Sequence, residues 1–380
     1  MDATVESHPF GFAQGRLLRK ERARMGHPAC GGGAYVKLKG ETGSETQSRF
    51  EAETSRRMHK ATILFNPNSG RRGKKRDAEL NHAIGIIQSA GVRTELTVCR
   101  SSQEATDNAR CAVADGSDTV FACGGDGTIH DVIQALAGTP VALAILPFGT
   151  ANALAHDLGI PVRPSAAAQV AVNGKVRRIP LGRVACEDFN GKSVARFFTV
   201  AAGVGVDAHL IYKLTTGLKS RSGMAGYYLK AWQLWASHRM RKFEVEYANG
   251  NGLRQRAVLT ELMAVRIRFF GNVLRELVPG ASLECCDLRT VMCRTASRNA
   301  FLQYVAGRVL GRQWKIDGID LVSCSEVVCQ LPEKVDAHHA DAHHADSDQR
   351  VFVEADGELL GRLPARMTMQ PDALSLVVPA

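Results

Sequence analysis

The sequence predicts an α/β protein in which an N-terminal doubly wound parallel α/β domain is followed by a C-terminal β-sandwich domain. Strand-like and helix-like segments alternate between residues 58 and 180, and short alternating apolar runs dominate after residue 180. Regular alternation predicts a parallel sheet with helices on its faces, whereas short strands separated by turn residues are typical of a sandwich. The chain has 380 residues, which is enough for both domains.

Residues 1–57 are predicted to lie outside both domains. They are rich in Gly, Arg, Ser and Glu and show no sustained apolar periodicity. A segment of that composition cannot bury a core, so we interpret it as a disordered tail or as translated sequence upstream of the true start. Met58 directly precedes a strand-like run and would be a natural start.

The predicted α/β domain covers residues 58–180. Its strands are short apolar runs, and its helices carry apolar residues at helical spacing. In chain order the segments are "ATILF", "RDAELNHAIGIIQSAG", "RTELTVC", "SSQEATDNARCAVADG", "DTVFAC", "IHDVIQALAG" and "PVALAIL". Ser101 and Glu104 form a capping pattern at the start of the second helix.

Three turn motifs follow predicted strands of this domain. They are "NPNSG" (66–70), "GGDGT" (124–128) and "PFGTAN" (147–152). Ligands of doubly wound sheets bind at the carboxyl ends of the strands, so the three motifs are expected to form one site.

The motif "GGDGT" joins a strand to a helix and indicates the chemistry of that site. Its glycines permit positive φ and let a ligand approach the backbone, and the following helix N-terminus suits a phosphate. A carboxylate beside a phosphate is repulsive unless a cation lies between them. Asp126 therefore predicts Mg²⁺, which prefers a carboxylate, waters and phosphate oxygens, and hence a metal–nucleotide site.

The predicted sandwich covers residues 181–380. Its strand-like runs are "ARFFTVAAGVG", "KFEVEYA", "AVLTELMAVRIR", "LRTVMCR", "GIDLVSCSEVVCQL", "RVFVEADGE", "RMTMQP" and "LSLVVP". Two helical insertions are expected, at about residues 208–241 and 297–312. The tandem repeat "DAHHADAHHAD" falls in a His/Asp-rich loop, 336–347, that we interpret as an expanded loop rather than a Zn²⁺ or Ni²⁺ site.

Composition limits the partners and the compartment. Lysine and arginine exceed aspartate and glutamate by 48 to 38, which favours phosphates or acidic membranes; no nucleic-acid motif accompanies the charge. Ten scattered cysteines with no C-x-x-C pair predict a reducing, cytoplasmic location. No run of eighteen apolar residues occurs, so a soluble or peripheral protein is expected.

Five segments in fixed order resemble a known family: "NPNSG" (66–70), "GGDGTIH" (124–130), "LPFGTANALAHDLGIP" (146–161), "AAGVGVDAHL" (201–210) and "VEADGELLGRLP" (353–364). Together they resemble the bacterial diacylglycerol kinase-like lipid kinases, which are related to sphingosine and ceramide kinases. "GGDGT" alone is less specific, because NAD kinases and phosphofructokinases carry similar turns. The resemblance covers residues 58–380 and implies an ATP-binding α/β domain, a lipid-binding sandwich and an active site in the cleft between them.

The resemblance also implies residue roles, with ATP and Mg²⁺ as cofactors. Asp126 would organise Mg²⁺, and Asp356 and Glu358 match the acidic pair nearest the transferred phosphate, with Glu358 also in contact with the cation. Which of the two is the base stays open, with Glu358 favoured. The nucleotide contacts would be Asn66, Ser69, Gly70, Thr97, Gly124, Gly125, Gly127, Thr128, Gly149, Thr150 and Asn152.

Two positions depart from the family pattern. His130 stands where the family usually has asparagine after "GGDGTI". The loop in which many relatives carry an acidic "DDG" metal site reads "LECCDL" here, so only Glu284 and Asp287 remain and a structural Mg²⁺ is not expected.

Contact with a membrane is a further hypothesis. The segment 223–242 places Tyr228, Trp232 and Trp235 on one predicted helical face, next to several cations. An aromatic stripe usually packs into a core, and that interpretation is favoured, but the cations also suit an anionic membrane surface.

These observations favour an ATP- and Mg²⁺-dependent lipid kinase that acts peripherally at the inner membrane face, with diacylglycerol as the expected acceptor. Two alternatives remain: a kinase of a soluble metabolite such as NAD, and a catalytically silent nucleotide- or lipid-binding protein. The identity of the lipid is not defined, and a homodimer through exposed strand edges is left open.

Overall fold

The computed structural model describes residues 58–70, 74–205, 240–249, 252–270, 274–332 and 351–380. The predicted tail of residues 1–57, the aromatic residues of segment 223–242 and the His/Asp-rich loop of 336–347 lie outside the described residues.

The first part of the fold is a parallel sheet with two layers of helices. Its strands β1 (Lys60–Phe65), β2 (Arg93–Val98), β3 (Thr119–Gly124) and β4 (Ala142–Pro147) lie in the order β2-β1-β3-β4. The helices are α1 (Lys74–Ser89), α2 (Ser102–Ala114), α3 (Asp126–Leu136), α4 (Ala153–Asp157) and α5 (Pro164–Asn173). Helix α1 packs against α5, and α2 against α3.

This arrangement confirms the predicted doubly wound architecture. Strand β1 lies between β2 and β3, so the chain reverses direction along the sheet after β2. Right-handed crossovers in opposite directions place their helices on opposite faces. Strands β3 and β4 are buried along their whole length, as expected for strands covered on both sides. Helix α2 begins at the predicted cap, where the Ser101 hydroxyl accepts a hydrogen bond from the Glu104 amide (3.2 Å).

The second part is the predicted sandwich-like domain, built from antiparallel strands. They are β5 (Lys175–Glu187), β6 (Ser193–Phe198), β7 (Ala201–Gly205), β8 (Phe243–Asn249), β9 (Arg254–Leu259), β10 (Glu261–Val265), β13 (Leu288–Cys293), β14 (Ile319–Gln330), β15 (Phe352–Ala355) and β16 (Glu358–Val378). A small hairpin of β11 (Phe269–Phe270) and β12 (Leu274–Arg275) and helix α6 (Arg298–Val309) complete it. The strands follow the order β16-β15-β7-β10-β13-β14-β8-β9, and a further pairing of β14 with β16 wraps the sheet around its own core.

Strand β16 connects the two parts. It begins beside β15 in the sandwich, and its residues Ser375 and Leu376 pair in parallel with β4. Leu374 and Leu376 consequently pack in the same core as β1, β3 and β4, as does Ile179 of β5. The domain boundary at residue 180 stays a prediction, since the first core also receives residues from the C-terminal end of the chain. The strand that begins at Glu358 is thereby anchored in both cores.

None of the helices in the described ranges is long and apolar enough to cross a lipid bilayer.

Candidate active site

The first two predicted phosphate turns are joined by side-chain hydrogen bonds. The Asn66 amide donates to the Thr128 hydroxyl at 3.0 Å, and the Ser69 hydroxyl lies 3.2 Å from the same oxygen. The Asn66 backbone N–H also donates to the Cys123 carbonyl at 3.0 Å. The turns after β1 and β3 therefore form one surface at the point where the strand order reverses.

The third turn contacts the other two through glycine backbones. Gly70 has φ +68°, and a Cβ there would come within 2.1 Å of the Phe148 carbonyl oxygen. A Cβ on Gly149 would come within 2.5 Å of the Gly125 Cα. Side chains are excluded at these positions because the backbones touch, which leaves bare N–H groups at the edge of the sheet.

A tight turn orients the end of the third motif. Asn152 has φ 47°; its side-chain oxygen accepts from the Gly149 amide at 3.0 Å, and its side-chain nitrogen donates to the Gly149 carbonyl at 3.1 Å. Among the other predicted nucleotide contacts, Thr150 is exposed, and Thr97 is half-buried on the edge strand opposite Leu64.

Arg76 supports the first turn and was not predicted. Its guanidinium donates to the carbonyls of Asn66 (2.9 Å) and Pro67 (3.1 Å), and it lies 5.1 Å from the ring centres of Phe65 and Phe148. Burial lowers the pKa of Arg76, although Asp77 opposes the shift. The sequence "RRGKKR" offers five basic residues at this point, and no pattern in it distinguishes Arg76 from the others.

Asp126 is the first residue of α3 and belongs to the second of the three turns. Its Oδ1 atom is buried and has no hydrogen-bond partner among the described residues. Burial raises the pKa of Asp126, and the backbone N–H groups of Leu154 and Ala153 partly oppose that shift. A buried carboxylate oxygen without a donor is costly unless it binds a ligand.

The two acids of the "DGE" turn occupy opposite environments. The Asp356 side chain is 3% exposed, and that of Glu358 is 38% exposed. Both oxygens of Asp356 accept hydrogen bonds, from the amides of Thr199 (2.8 Å), Val200 (2.8 Å) and Ala201 (3.0 Å), and from the Thr199 hydroxyl (3.1 Å). Burial would raise the pKa of Asp356, but His130 and the amides of Thr199 and Val200 hold it below its usual range.

His130 connects α3 to this turn. Its Nδ1 lies 3.3 Å from Asp356 Oδ2, and its Nε2 lies 3.8 Å from Glu358 Oε2. An ionised carboxylate can only accept, so Nδ1–H is the donor to Asp356. Burial lowers the pKa of His130, but the hydrogen bond and charge of Asp356, with the charges of Glu358 and Asp131, outweigh it and leave the pKa raised.

Glu358 faces the first turn of α3. A Cβ on Gly127 would lie 3.8 Å from Glu358 Oε1, so the carboxylate approaches the bare backbone next to Asp126. Burial raises the pKa of Glu358, and His130 and Arg196 oppose the shift. Of the two acids in the "DGE" turn, Glu358 is the one that a substrate can reach.

The residues present fit a Mg²⁺ ion that is shared with phosphates. Within the described ranges no group of three or more His, Cys, Asp or Glu side chains is arranged to hold a metal by itself. Mg²⁺ in kinases is usually held by one or two carboxylates, waters and substrate phosphates, and the free oxygen of Asp126 suits that role.

The "LECCDL" loop is held by ionic contacts within the chain. Glu284 pairs with Arg177, and Asp287 pairs with Arg289. The fully buried guanidinium of Arg266 donates to the carbonyls of Leu283 (2.7 Å) and Cys285 (3.2 Å).

The backbone groups that hold Asp356 were also missed. They belong to the segment "FFTVAA", which the sequence predicts as part of one continuous strand. In the structure β6 ends at Phe198 and β7 begins at Ala201, so Thr199 and Val200 lie between two strands. Backbone donors carry no residue signature, so only the adjacent family-like segment "AAGVG" marks this region in the sequence.

Three converging phosphate-type turns and a facing carboxylate define a phosphate-handling α/β protein of the kinase class. Residues 60–184 match the model of the diacylglycerol kinase catalytic domain, and residues 199–378 match that of the YegS C-terminal NAD kinase beta sandwich-like domain. The chain therefore belongs to the bacterial diacylglycerol kinase-like family.

Individual relatives extend over nearly the same length. A diacylglycerol kinase of Bacillus subtilis is 27% identical over 325 residues, which covers 85% of this chain and 97% of the relative. One of Mycobacterium tuberculosis is 28% identical over 321 residues, covering 84% and 95%. A crystal structure of a diacylglycerol kinase from Bacillus anthracis superimposes with a TM-score of 0.60 at 16% identity, covering 85% of this chain and 98% of that one, so the fold is shared.

Proposed function

We propose that this protein is an ATP- and Mg²⁺-dependent lipid kinase that transfers the γ-phosphate to a lipid hydroxyl. Diacylglycerol is the acceptor we propose, with phosphatidic acid as the product, because the similar proteins are named diacylglycerol kinases. We place the enzyme in the cytoplasm, at the inner face of the membrane.

One observation carries this proposal: the Glu358 carboxylate faces the glycine turn that holds Asp126. Glu358 belongs to the sandwich, and Asp126 belongs to the α/β part of the molecule. A phosphate bound on the turn would therefore lie between a nucleotide-binding surface and an accessible carboxylate that can accept a proton.

The residues of the chain would act as follows. Backbone N–H groups of the turns at Gly70 and Gly125 bind the phosphates, Asn66 and Thr128 orient these two turns, and Asn152 fixes the third turn through the Gly149 amide. Glu358 accepts the proton of the acceptor hydroxyl while the hydroxyl oxygen forms a bond to the γ-phosphorus of ATP. The bond between the γ-phosphorus and the β–γ bridging oxygen breaks, and ADP is released.

Asp126 and the second oxygen of Glu358 would hold Mg²⁺, which when bound neutralises charge on the phosphates. His130 positions Glu358 and links it to the buried Asp356. Asp356 itself acts as an anchor, because its oxygens are already occupied by donors from Thr199 to Ala201.

The direct test is transfer of γ-labelled phosphate from ATP to a panel of lipids in mixed micelles. The panel contains diacylglycerol, monoacylglycerol, sphingosine, ceramide and phosphatidylglycerol, and NAD is tested in parallel. We expect labelled phosphatidic acid from the parent protein with Mg²⁺ and none from Asp126→Ala.

Each other result has a distinct meaning. A different labelled lipid would correct the acceptor, and labelled NADP would support a soluble-metabolite kinase. ATP binding without transfer to any acceptor would contradict catalysis and support a silent binding protein. Asp107→Asn, an exposed carboxylate change on α2, controls for nonspecific effects.

A further inference from the structure

One corner of the sandwich exposes several large apolar side chains. Leu302, Leu310, Trp314 and Leu321 are 45%, 62%, 40% and 44% exposed. We call these four residues the α6 patch. Leu302 and Leu310 lie on one side of α6 with the exposed Ala306 between them. The four residues lie within twenty positions of the chain, whereas scattered exposed apolar residues are normal in proteins.

Helix α6 is attached to the core of the domain through the face opposite to the α6 patch. The other side of α6 supplies Tyr304 to a cluster with Val265, Val278 and Val291, and the Tyr304 hydroxyl donates to the Leu277 carbonyl. Helix α6 is thus already anchored through one face. The exposed apolar residues on the opposite face of α6 do not contribute to this core.

The end of α6 is shaped so that Trp314 returns to the helix. Gly311 has φ +67°; its N–H donates to the Arg308 carbonyl at 3.1 Å, and the Arg312 N–H donates to the Gly307 carbonyl at 2.7 Å. This pair of bonds is the Schellman motif that reverses a chain after a helix. A Cβ on Gly307 would come within 3.0 Å of the Trp314 ring, so the indole lies directly on the glycine.

The charge around the α6 patch is mainly basic. Between Asp287 and Asp317 the chain contains six basic residues and no acidic one. Arg312 and Lys315 are exposed beside Trp314, and neither forms an ion pair within the described part of the chain. Two acids lie between Trp314 and Leu321: Asp317, which is exposed, and Asp320, which pairs with Arg294 at 2.8 Å. The exposed Glu276 follows β12, which contacts α6.

We propose that the α6 patch is the surface by which the enzyme docks on an anionic lipid bilayer. Exposed leucines and a tryptophan enter the headgroup boundary, and Arg312 and Lys315 contact anionic headgroups. Residues 288–321 contain six basic and two acidic residues. This excess of cations matches an anionic bilayer, and an apolar protein partner would not require it.

The position of the patch agrees with the proposed function, on which its biological purpose rests. Helix α6 contacts β12, which pairs with β11, and β11 contacts α4, the helix that follows Asn152 of the nucleotide site. These contacts connect the α6 patch to the nucleotide-binding part of the molecule, so docking through α6 would hold the enzyme at the bilayer that contains the acceptor.

The test is binding of the full chain to sedimentable vesicles of phosphatidylcholine alone or mixed with phosphatidylglycerol. We expect binding to the anionic vesicles only. Leu310→Asn should weaken it about tenfold, because it removes an inserted apolar side chain. Arg312→Gln combined with Lys315→Gln should weaken it about 25-fold, at about fivefold per cation.

The matched control is Leu253→Asn, which removes an equally exposed leucine between β8 and β9. Thermal melting checks that the variants fold. If Leu310→Asn does not fold, the variant with both Arg312→Gln and Lys315→Gln still tests the proposal. Binding that is unchanged in the patch variants, or lost equally in Leu253→Asn, would overturn the proposal. So would a patch variant that changes the sedimentation of the free protein while vesicle binding stays intact, since the patch would then join two copies of the chain.

Activity separates this proposal from the proposed function. Transfer to a short-chain, water-soluble diacylglycerol should be unchanged in the patch variants, whereas transfer to diacylglycerol in anionic vesicles should fall with binding. A parent protein that binds anionic vesicles through the patch but phosphorylates neither acceptor would support docking and contradict the kinase. If the parent protein phosphorylates both acceptors and the patch variants do so equally well, the kinase is supported and docking through the patch is contradicted.

Discussion

The β3–α3 turn and the β15–β16 turn each carry an aspartate, and the two carboxylates have opposite hydrogen-bonding environments. Asp126 has a buried oxygen without a hydrogen-bond partner in the described ranges, and burial raises its pKa. Asp356 accepts from three backbone amides, a hydroxyl and His130, and its pKa is lowered. The first arrangement costs stability and suits a ligand, and the second stabilises the fold. Similar residues in similar turns therefore need not share a role.

The largest expected effect is on catalysis at the first turn. Asp126→Asn should lower kcat by at least about 10³-fold, because it removes a charge that stabilises the transferring phosphate with its cation. Its melting temperature should not fall, since the native environment already disfavours the charged form. The measurements are single-turnover phosphate transfer and calorimetry. If Asp126→Asn lost stability together with activity, Asp126 would have a structural role like that of Asp356.

Glu358→Gln should have the next largest effect. Loss of a general base typically lowers kcat about 10²–10⁴-fold, and ATP binding should persist because the three turns are untouched. Asp107→Asn on α2 serves as the neutral carboxylate control. A variant that keeps full kcat but loses Mg²⁺ affinity would show that Glu358 is only a metal ligand. Full activity in all respects would remove it from the mechanism.

Asp356→Asn should act on stability rather than directly on chemistry. An amide cannot accept from all of the donors at Thr199, Val200 and Ala201, so the free energy of unfolding should fall by about 2–4 kcal/mol. Denaturant unfolding measures this loss. The matched control is Asp372→Asn: both aspartates have left-handed φ, 48° and 46°, which asparagine tolerates, and Asp372 is exposed. Equal effects in the two variants would assign the loss to the backbone and not to the hydrogen bonds of the carboxylate.

The contrast between the turns also explains what the sequence could predict. Strand–helix alternation and three glycine turns at strand ends were sufficient for the parallel sheet and for the convergence of Asn66, Thr128 and Gly149. These features are local, because a turn next to a strand has few possible positions. The sandwich followed from short alternating strands, which the order of β7, β10, β13 and β14 confirms.

Contacts between distant segments could not be predicted in this way. The return of β16 to β4 joins residues about 230 positions apart, and nothing in "LSLVV" indicates that partner. The donors at Thr199 to Ala201 are backbone groups and carry no side-chain signal. His130 was visible as a departure from the family pattern, but its contact with Asp356 depends on how the two domains pack.

The smallest expected effect tests the connection between the two turns. His130→Ala removes the donor to Asp356 and the contact with Glu358, and should cost about 2 kcal/mol of stability and lower kcat. His130→Asn retains a short donor, so its stability loss should be about 1 kcal/mol or less and kcat should stay within about tenfold of the parent. The exposed His82→Asn is the matched control on α1.

The split between kcat and KM decides whether His130 positions Glu358 or reacts. A positioning role predicts that KM for ATP is unchanged, that kcat falls in His130→Ala, and that asparagine restores most of it. If His130→Asn were instead as inactive as Glu358→Gln while remaining stably folded, the imidazole itself would take part in the proton transfer. Both acids of the β15–β16 turn would then take part in proton transfer, with His130 passing the proton between Glu358 and Asp356. Asp356 would no longer be a purely structural residue.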